Sequence, residues 1–175
     1  MKKSVLRGLV SLCLATVFII NANAIYVYRY EQEMSNWCWA ASAQMIGHTK
    51  GRNVSQSAIV EYVMGSSVNV GANIDQCKQA VDYATLIYST IAGSAIPYAN
   101  AKSELDDGEP FFIRIQWNSG GGHAVVASGY NLSAGTITIV DPAVGCGTQA
   151  YLYRTMVSNC QFESGTGKWQ NTITI

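Results

Sequence analysis

Residues 101–117 read AKSELDDGEPFFIRIQW, and the change of pattern inside this stretch decides the fold class. Up to Asp107 the residues suit a short helix. Gly108 breaks the run, and from Pro110 to Trp117 aromatic and β-branched residues take over. Everything upstream is consistent with helices. Good helix formers run from Cys38 to Gly47, where the glycine offers a stop. Asn53 or Ser55 can cap a second helix over residues 55–65, and a third covers residues 73–84. One exception is IYVYRY (25–30), which alternates like a short strand. Downstream the strand-like runs are HAVVASGY (123–130), TITIVDP (136–142), AYLYRTM (150–156) and TITI (172–175), separated by turn residues. Helices first and an antiparallel sheet second predict an α+β fold.

The N-terminus carries a different signal. Lys2, Lys3 and Arg7 precede an apolar run from about Leu6 to Ile20, and Asn21-Ala22-Asn23-Ala24 supplies a small-x-small site. This layout is that of a secretory signal peptide spanning residues 1–24, with cleavage after Ala24. The run is shorter than the roughly 20 residues needed to cross a bilayer. Leu12 stands before Cys13, where a lipoprotein site wants a small residue. The expectation is a soluble exported protein, periplasmic or secreted, without a stable membrane anchor. Residues 25–175 then form one domain. Of 11 basic and 11 acidic residues, three basic ones leave with the signal, so 8 face 11 and the charge is −3. A basic footprint for nucleic acid is missing.

Four cysteines remain: Cys38, Cys77, Cys146 and Cys160. In an oxidising compartment an even number suggests two disulfides. A metal site is disfavoured, because there is no C-x-x-C pair and His48 and His123 are far apart in sequence; no cofactor is expected. Cys38, set in SNWCWAAS (35–42), has three readings: buried filler, half of a disulfide, or a nucleophile at a helix N-terminus. A nucleophile needs a base. His48 lies ten residues along the same helix, about 15 Å away at 1.5 Å per residue, and so reads as a helix-end histidine. His123 follows Gly120-Gly121-Gly122 and opens an apolar strand, which suits a base beside open space, although an edge-of-core histidine has the same pattern. If the 123–130 and 136–142 runs pair through a turn centred near residue 132, Asp141 falls across from His123. The bland alternative is a turn aspartate before proline. The backbone N–H of Cys38 is one candidate oxyanion donor, and the side-chain amide of Gln32 is a second. Taken alone, Gln32 is a loop glutamine.

Assembled, these residues resemble the papain-like cysteine peptidases, and most closely their compact bacterial branch, related to C39-like and AvrRpt2-type peptidases and more distantly to staphopains. The resemblance rests on Gln32 through Cys38-Trp39-Ala40-Ala41-Ser42, on ELDDGEPFFIRIQW, on GGGHAVVASGY and on IVDP, in order across most of residues 25–175. It implies an N-terminal helical lobe packed on a C-terminal antiparallel sheet lobe. It places catalysis on Cys38, His123 and Asp141, with Gln32 and the Cys38 N–H as the oxyanion hole, and protein or peptide as substrate. Asp141-Pro142-Ala143 stands where plant members have asparagine followed by Ser-Trp, so a shielding tryptophan must come from elsewhere, with Trp117 a candidate. Only 13 residues separate Ala24 from Cys38, which leaves no room for an inhibitory propeptide. Restraint is then expected from a separate inhibitor or immunity protein, from thiol oxidation or from export. A free Cys38 also reduces the disulfides to one, Cys146–Cys160 being favoured over Cys77–Cys160 or Cys77–Cys146. The same three residues could perform deamidation, transamidation or other amide cleavage as a toxin or effector. A silent peptidase-like binding module is the alternative from another class. Tyr62, Tyr83, Tyr88 and Tyr98 are packing residues or line a substrate groove.

Overall fold

A computed structural model describes residues 22–175. In chain order these form β1 (Ala22–Ala24), α1 (Cys38–Thr49), α2 (Gln56–Met64), α3 (Ile74–Thr85), β2 (Thr90–Ala92) and α4 (Tyr98–Asp106). Then follow β3 (Phe111–Trp117), β4 (Gly122–Asn131), β5 (Thr136–Val140), β6 (Thr148–Leu152), α5 (Tyr153–Met156), β7 (Cys160–Phe162) and β8 (Gly165–Thr174). The helix-to-strand change falls at Gly108, as AKSELDDGEPFFIRIQW predicts. The strands form one antiparallel sheet in the order β2-β8-β3-β4-β5-β6, with β1 pairing β4 and β7 pairing β8.

The sheet separates two cores because alternate strand residues face opposite sides. Phe112, Ala124, Val126 and Val140 pack against α1 and α3 on the helical side. Phe111, Ile113, Ile115, Val125, Ile137 and Ile139 face the other side, where Leu105, Met156, Phe162 and Trp169 close over them. α1 is the central helix. Every residue from Trp39 to Gly47 is buried, which alanine permits because it lets the sheet and α3 approach closely from two sides.

Helix ends follow local chemistry. Ser55 accepts from the Ala58 N–H to start α2, and Gly65 ends it in the left-handed region. Asn73 and Gln76 form a reciprocal capping box on α3. The expected stop at Gly47 is corrected: α1 runs on to Thr49. Gly47 is instead a close-packing residue, where a Cβ would lie 2.7 Å from the Ala84 carbonyl oxygen. Gly47→Ala is therefore expected to destabilise the fold by about 1–3 kcal/mol, although alanine favours a helix by about 1 kcal/mol; urea denaturation measures the sign.

Three other expectations need correction. The strand expected at 25–30 lies at Ala22–Ala24, and the Ile25 N–H to Ser128 O bond (2.7 Å) continues the pairing. The alternation in IYVYRY has another cause: the segment crosses the molecule with Val27 buried and Tyr26 and Tyr28 outward, while Tyr30 packs at the edge of the helical-side core. AYLYRTM is not one strand, because β6 ends at Leu152 and a helical turn follows. The short C-terminal strand is the end of the ten-residue β8, which lies beside β3 in the middle of the sheet. The expected leader falls on residues outside the description up to residue 21, and its last three residues make β1. No helix among the described residues is long and apolar enough to cross a membrane.

Candidate active site

Cys38 is the first residue of α1, partly exposed, between the buried Trp37 and Trp39. The two indoles fix this helix start. Trp37 Nε1 donates to Val68 O (2.9 Å) and Trp39 Nε1 to Val70 O (3.1 Å), while the Asn36 N–H donates to Asn69 Oδ1 (2.9 Å). The loop before α3 is thereby tied to the residues that carry the sulfur. Trp37 stands at the N-cap and has no oxygen to offer, so the first-turn N–H groups lack a side-chain cap.

His123 arrives from the opposite lobe. Gly120 and Gly121 adopt φ of 92° and 76°, a conformation that favours glycine, and the turn delivers His123 near the start of β4. His123 Nε2 lies 2.7 Å from Asp141 Oδ1, with both side chains buried. The expected hairpin is present with a shifted register. Asn131 pairs with Thr136, so the turn is centred between residues 133 and 134 and not near 132. After a bulge between Ala127 and Gly129, Val126 pairs with Val140, and Asp141 continues opposite Val125 rather than His123. It meets the imidazole on the diagonal, which a histidine side chain spans.

Asp141 is held on every side. Oδ1 also accepts from the Ala143 N–H (2.9 Å), and Oδ2 accepts from Ser164 Oγ (2.6 Å). Burial pushes its carboxyl up, but the bond and charge of His123 and the other two donors outweigh this and hold it below the usual range. Burial lowers the His123 pKa, yet hydrogen bonds to Asp141 and Cys38 and their charges raise it to about 9. Trp117 lies nearly parallel over the imidazole, centroids 5.6 Å apart and planes at 17°.

Gln32, Cys38, Trp117, His123, Ala143 and Ser164 border one cavity of 260 Å³. A second, of 240 Å³, opens beside Cys38 and His123 between Trp39, Phe112 and Arg114. Gln32 Nε2 donates to Met34 O (3.0 Å) and Ser35 O (2.9 Å), so its amide is braced against its own loop. Gln56, only 1% exposed, secures that loop: its Nε2 donates to Glu31 O (2.8 Å) and its Oε1 accepts from the Glu33 N–H (2.9 Å). The Gln32 N–H donates to Pro142 O (2.8 Å), and Arg29 donates through Nε to Asp141 O (2.7 Å) and through Nη2 to Ala143 O (2.6 Å). Residues 29–33 thus fasten the turn after Asp141 to the helical lobe. Sequence reasoning missed Arg29, Gln56 and Ser164. The inward phase of Arg29 in IYVYRY was the one available hint.

The remaining candidates lie elsewhere. His48 is an exposed residue of the last turn of α1, with Nδ1 3.0 Å from Tyr30 Oη. Tyr62 and Tyr83 stack at 4.1 Å and, with Tyr88, border a depression on the helical lobe apart from Cys38. Tyr98 packs on Tyr153 and donates to Asn131 O (2.9 Å). Cys38, Cys77, Cys146 and Cys160 are all free thiols, so the expected Cys146–Cys160 disulfide is corrected. It presumed a hairpin that is absent: Cys146 sits in the turn before β6, whereas Cys160 is buried at the start of β7 beside Thr155 Oγ1 (3.7 Å). Burial pushes the Cys77 thiol up to about 12.

A cysteine at the start of a central helix, facing a buried His–Asp pair on an antiparallel sheet, invites comparison with known proteins. Residues 24–172 match the model of the Peptidase_C39 like family. The chain belongs to this family. It is a cysteine peptidase with a papain-like α+β fold. The peptidase domain of Streptococcus ComA, a bi-functional ABC transporter involved in a quorum-sensing pathway, superposes with a TM-score of 0.61 at 16% identity, over 82% of this peptidase and 93% of that chain. A Bacillus anthracis protein described as a C39-like peptidase superposes with a TM-score of 0.60 at 14% identity, over 87% and 97%. At these identities the likeness is one of fold. The sequence matches none of the curated proteins.

Proposed function

We propose that the chain is an exported peptidase that cleaves peptide bonds through Cys38, His123 and Asp141. The observation that carries this reading is the His123–Asp141 bond through Nε2, which leaves Nδ1 as the nitrogen available to Cys38. The Cys38 thiolate attacks the scissile carbonyl, and imidazolium His123 protonates the departing amine. Water then hydrolyses the thioester with His123 as base. Asp141 holds the tautomer and stabilises the imidazolium. The Cys38 N–H and one Gln32 N–H, released from its loop carbonyl, stabilise the oxyanion. Trp117 keeps water from the His123–Asp141 bond.

An irreversible peptidyl epoxide is the test. It should label Cys38 alone, and a folded protein that is not labelled there would overturn the reading and favour a binding module. The pH profile supplies a second test. With its pKa raised to about 9, His123 stays protonated below that pH and loses its proton above it. Leaving-group protonation is then lost, so kcat/KM for a peptide should fall above about pH 9. A basic limb near the ordinary histidine value of about 6.5 would contradict the assignment. The His123 contribution to stability has the same sign: complete below about 6.5 and lost as pH rises through about 9.

A further inference from the structure

Alternate residues of β3 face opposite sides of the sheet, so Phe112, Arg114 and Gln116 point toward the helical lobe. Phe112 belongs to the core on that side. Arg114, the next residue on the same face, is half-buried between Ala124 of β4 and Asn171 of β8. Its one side-chain hydrogen bond among the described residues is long and to a neutral group, Nη1 to Asn171 Oδ1 at 3.4 Å. No carboxylate among the described residues forms an ion pair with it. A half-buried guanidinium with so few protein partners keeps most of its N–H groups free toward the cavity, where a carboxylate can replace water.

The guanidinium borders the 240 Å³ cavity together with Cys38, Trp39, Phe112, His123 and Ala124. A Cβ on Gly122 would sit 3.4 Å from Arg114 Nη2, so the guanidinium lies beneath the residue next to His123. The cavity is therefore a partly apolar slot beside the reacting groups, with the Arg114 guanidinium at its wall as a cation apart from His123. Its size suits a single side chain or a chain end. A planar guanidinium pairs with a carboxylate through two parallel hydrogen bonds.

We propose that this cavity is a specificity subsite that takes a carboxylate of the peptide substrate, held by Arg114. The carboxylate belongs to an aspartate or glutamate side chain near the scissile bond or to the free C-terminus of the peptide. This deepens the peptidase reading and rests on it.

The test uses peptidyl epoxides in matched pairs, Glu against Gln at each position near the warhead, and free acid against amide at the C-terminus. The rate of Cys38 labelling is the readout. One pair should favour the carboxylate by roughly tenfold or more, and which pair does so separates a side chain from a chain end. Arg114→Met should bring that ratio close to one. Arg114→Lys keeps the charge and the stem, so it should fold and keep the sign of the preference with a smaller ratio. Equal rates for all pairs in a protein labelled at Cys38 would overturn the subsite and leave the peptidase reading standing. A preference unchanged in Arg114→Met, or in Arg114→Lys where the methionine variant does not fold, would also overturn it. If no epoxide labels the folded protein, the peptidase reading fails. Calorimetric binding of the corresponding unreactive peptides then decides the subsite: a carboxylate preference that the Arg114 variants reduce supports it, and its absence overturns it.

Discussion

Cys38→Ala is expected to lower peptide hydrolysis by roughly 10⁴-fold or more while leaving the fold intact. The size of the effect follows from the chemistry. Without sulfur there is no thioester, and His123 and Asp141 have no nucleophile to serve. The intact fold follows from the packing. Cys38 is partly exposed at the first position of α1, and the helix start is held by the indoles of Trp37 and Trp39 through Val68 and Val70. Alanine is the strongest helix former, and Tm should move by no more than about 3 °C. Hydrolysis assays and thermal melts on the same preparation give both numbers. Full activity in the folded variant would remove Cys38 from the mechanism. A collapse of Tm would instead make its role structural.

The parts of this site legible in the sequence are those that local pattern encodes. SNWCWAAS marks a helix start, GGGHAVV a glycine turn feeding a strand, and TITIVDP a strand stopped by proline. Hairpin symmetry then brings His123 near Asp141. Its prediction of residues directly opposite was off because the turn is centred between residues 133 and 134, where Asn131 pairs with Thr136, and not near 132. The bulge between Ala127 and Gly129, which no sequence rule locates, takes back only one residue of that offset. Contacts that join distant parts of the chain were invisible. Arg29 reaches Asp141 across 112 positions, and Ser164 reaches it from the turn between β7 and β8. The central place of β8 was equally hidden. GTGKWQN is rich in glycine and polar residues and reads as a loop, yet Trp169 is buried and the strand pairs with β3. Tertiary pairing overrides a weak local propensity there.

Asp141→Ala is expected to cost about 10³–10⁴ in kcat/KM, and Asp141→Asn far less, about 10–100-fold. The difference is written in the hydrogen bonds. Oδ1 faces two donors that cannot reverse, His123 Nε2–H and the Ala143 N–H. Oδ2 faces only the Ser164 hydroxyl, which can rotate from donating to accepting. An asparagine with its oxygen in the Oδ1 position and its NH₂ toward Ser164 therefore preserves every bond and the His123 tautomer. What it loses is the charge that stabilises imidazolium. Its basic limb should accordingly fall below the wild-type value of about 9. Alanine removes the acceptor for all three donors, and leaving buried donors unpaired should also destabilise the fold by about 1–3 kcal/mol. Ranking the two variants by kcat/KM, pH profile and denaturation midpoint tests the role of Asp141 independently of Cys38. Equal loss in both variants would mean that charge rather than orientation is the main contribution. Activity within tenfold of wild type in Asp141→Ala would mean that His123 needs no orienting partner at all.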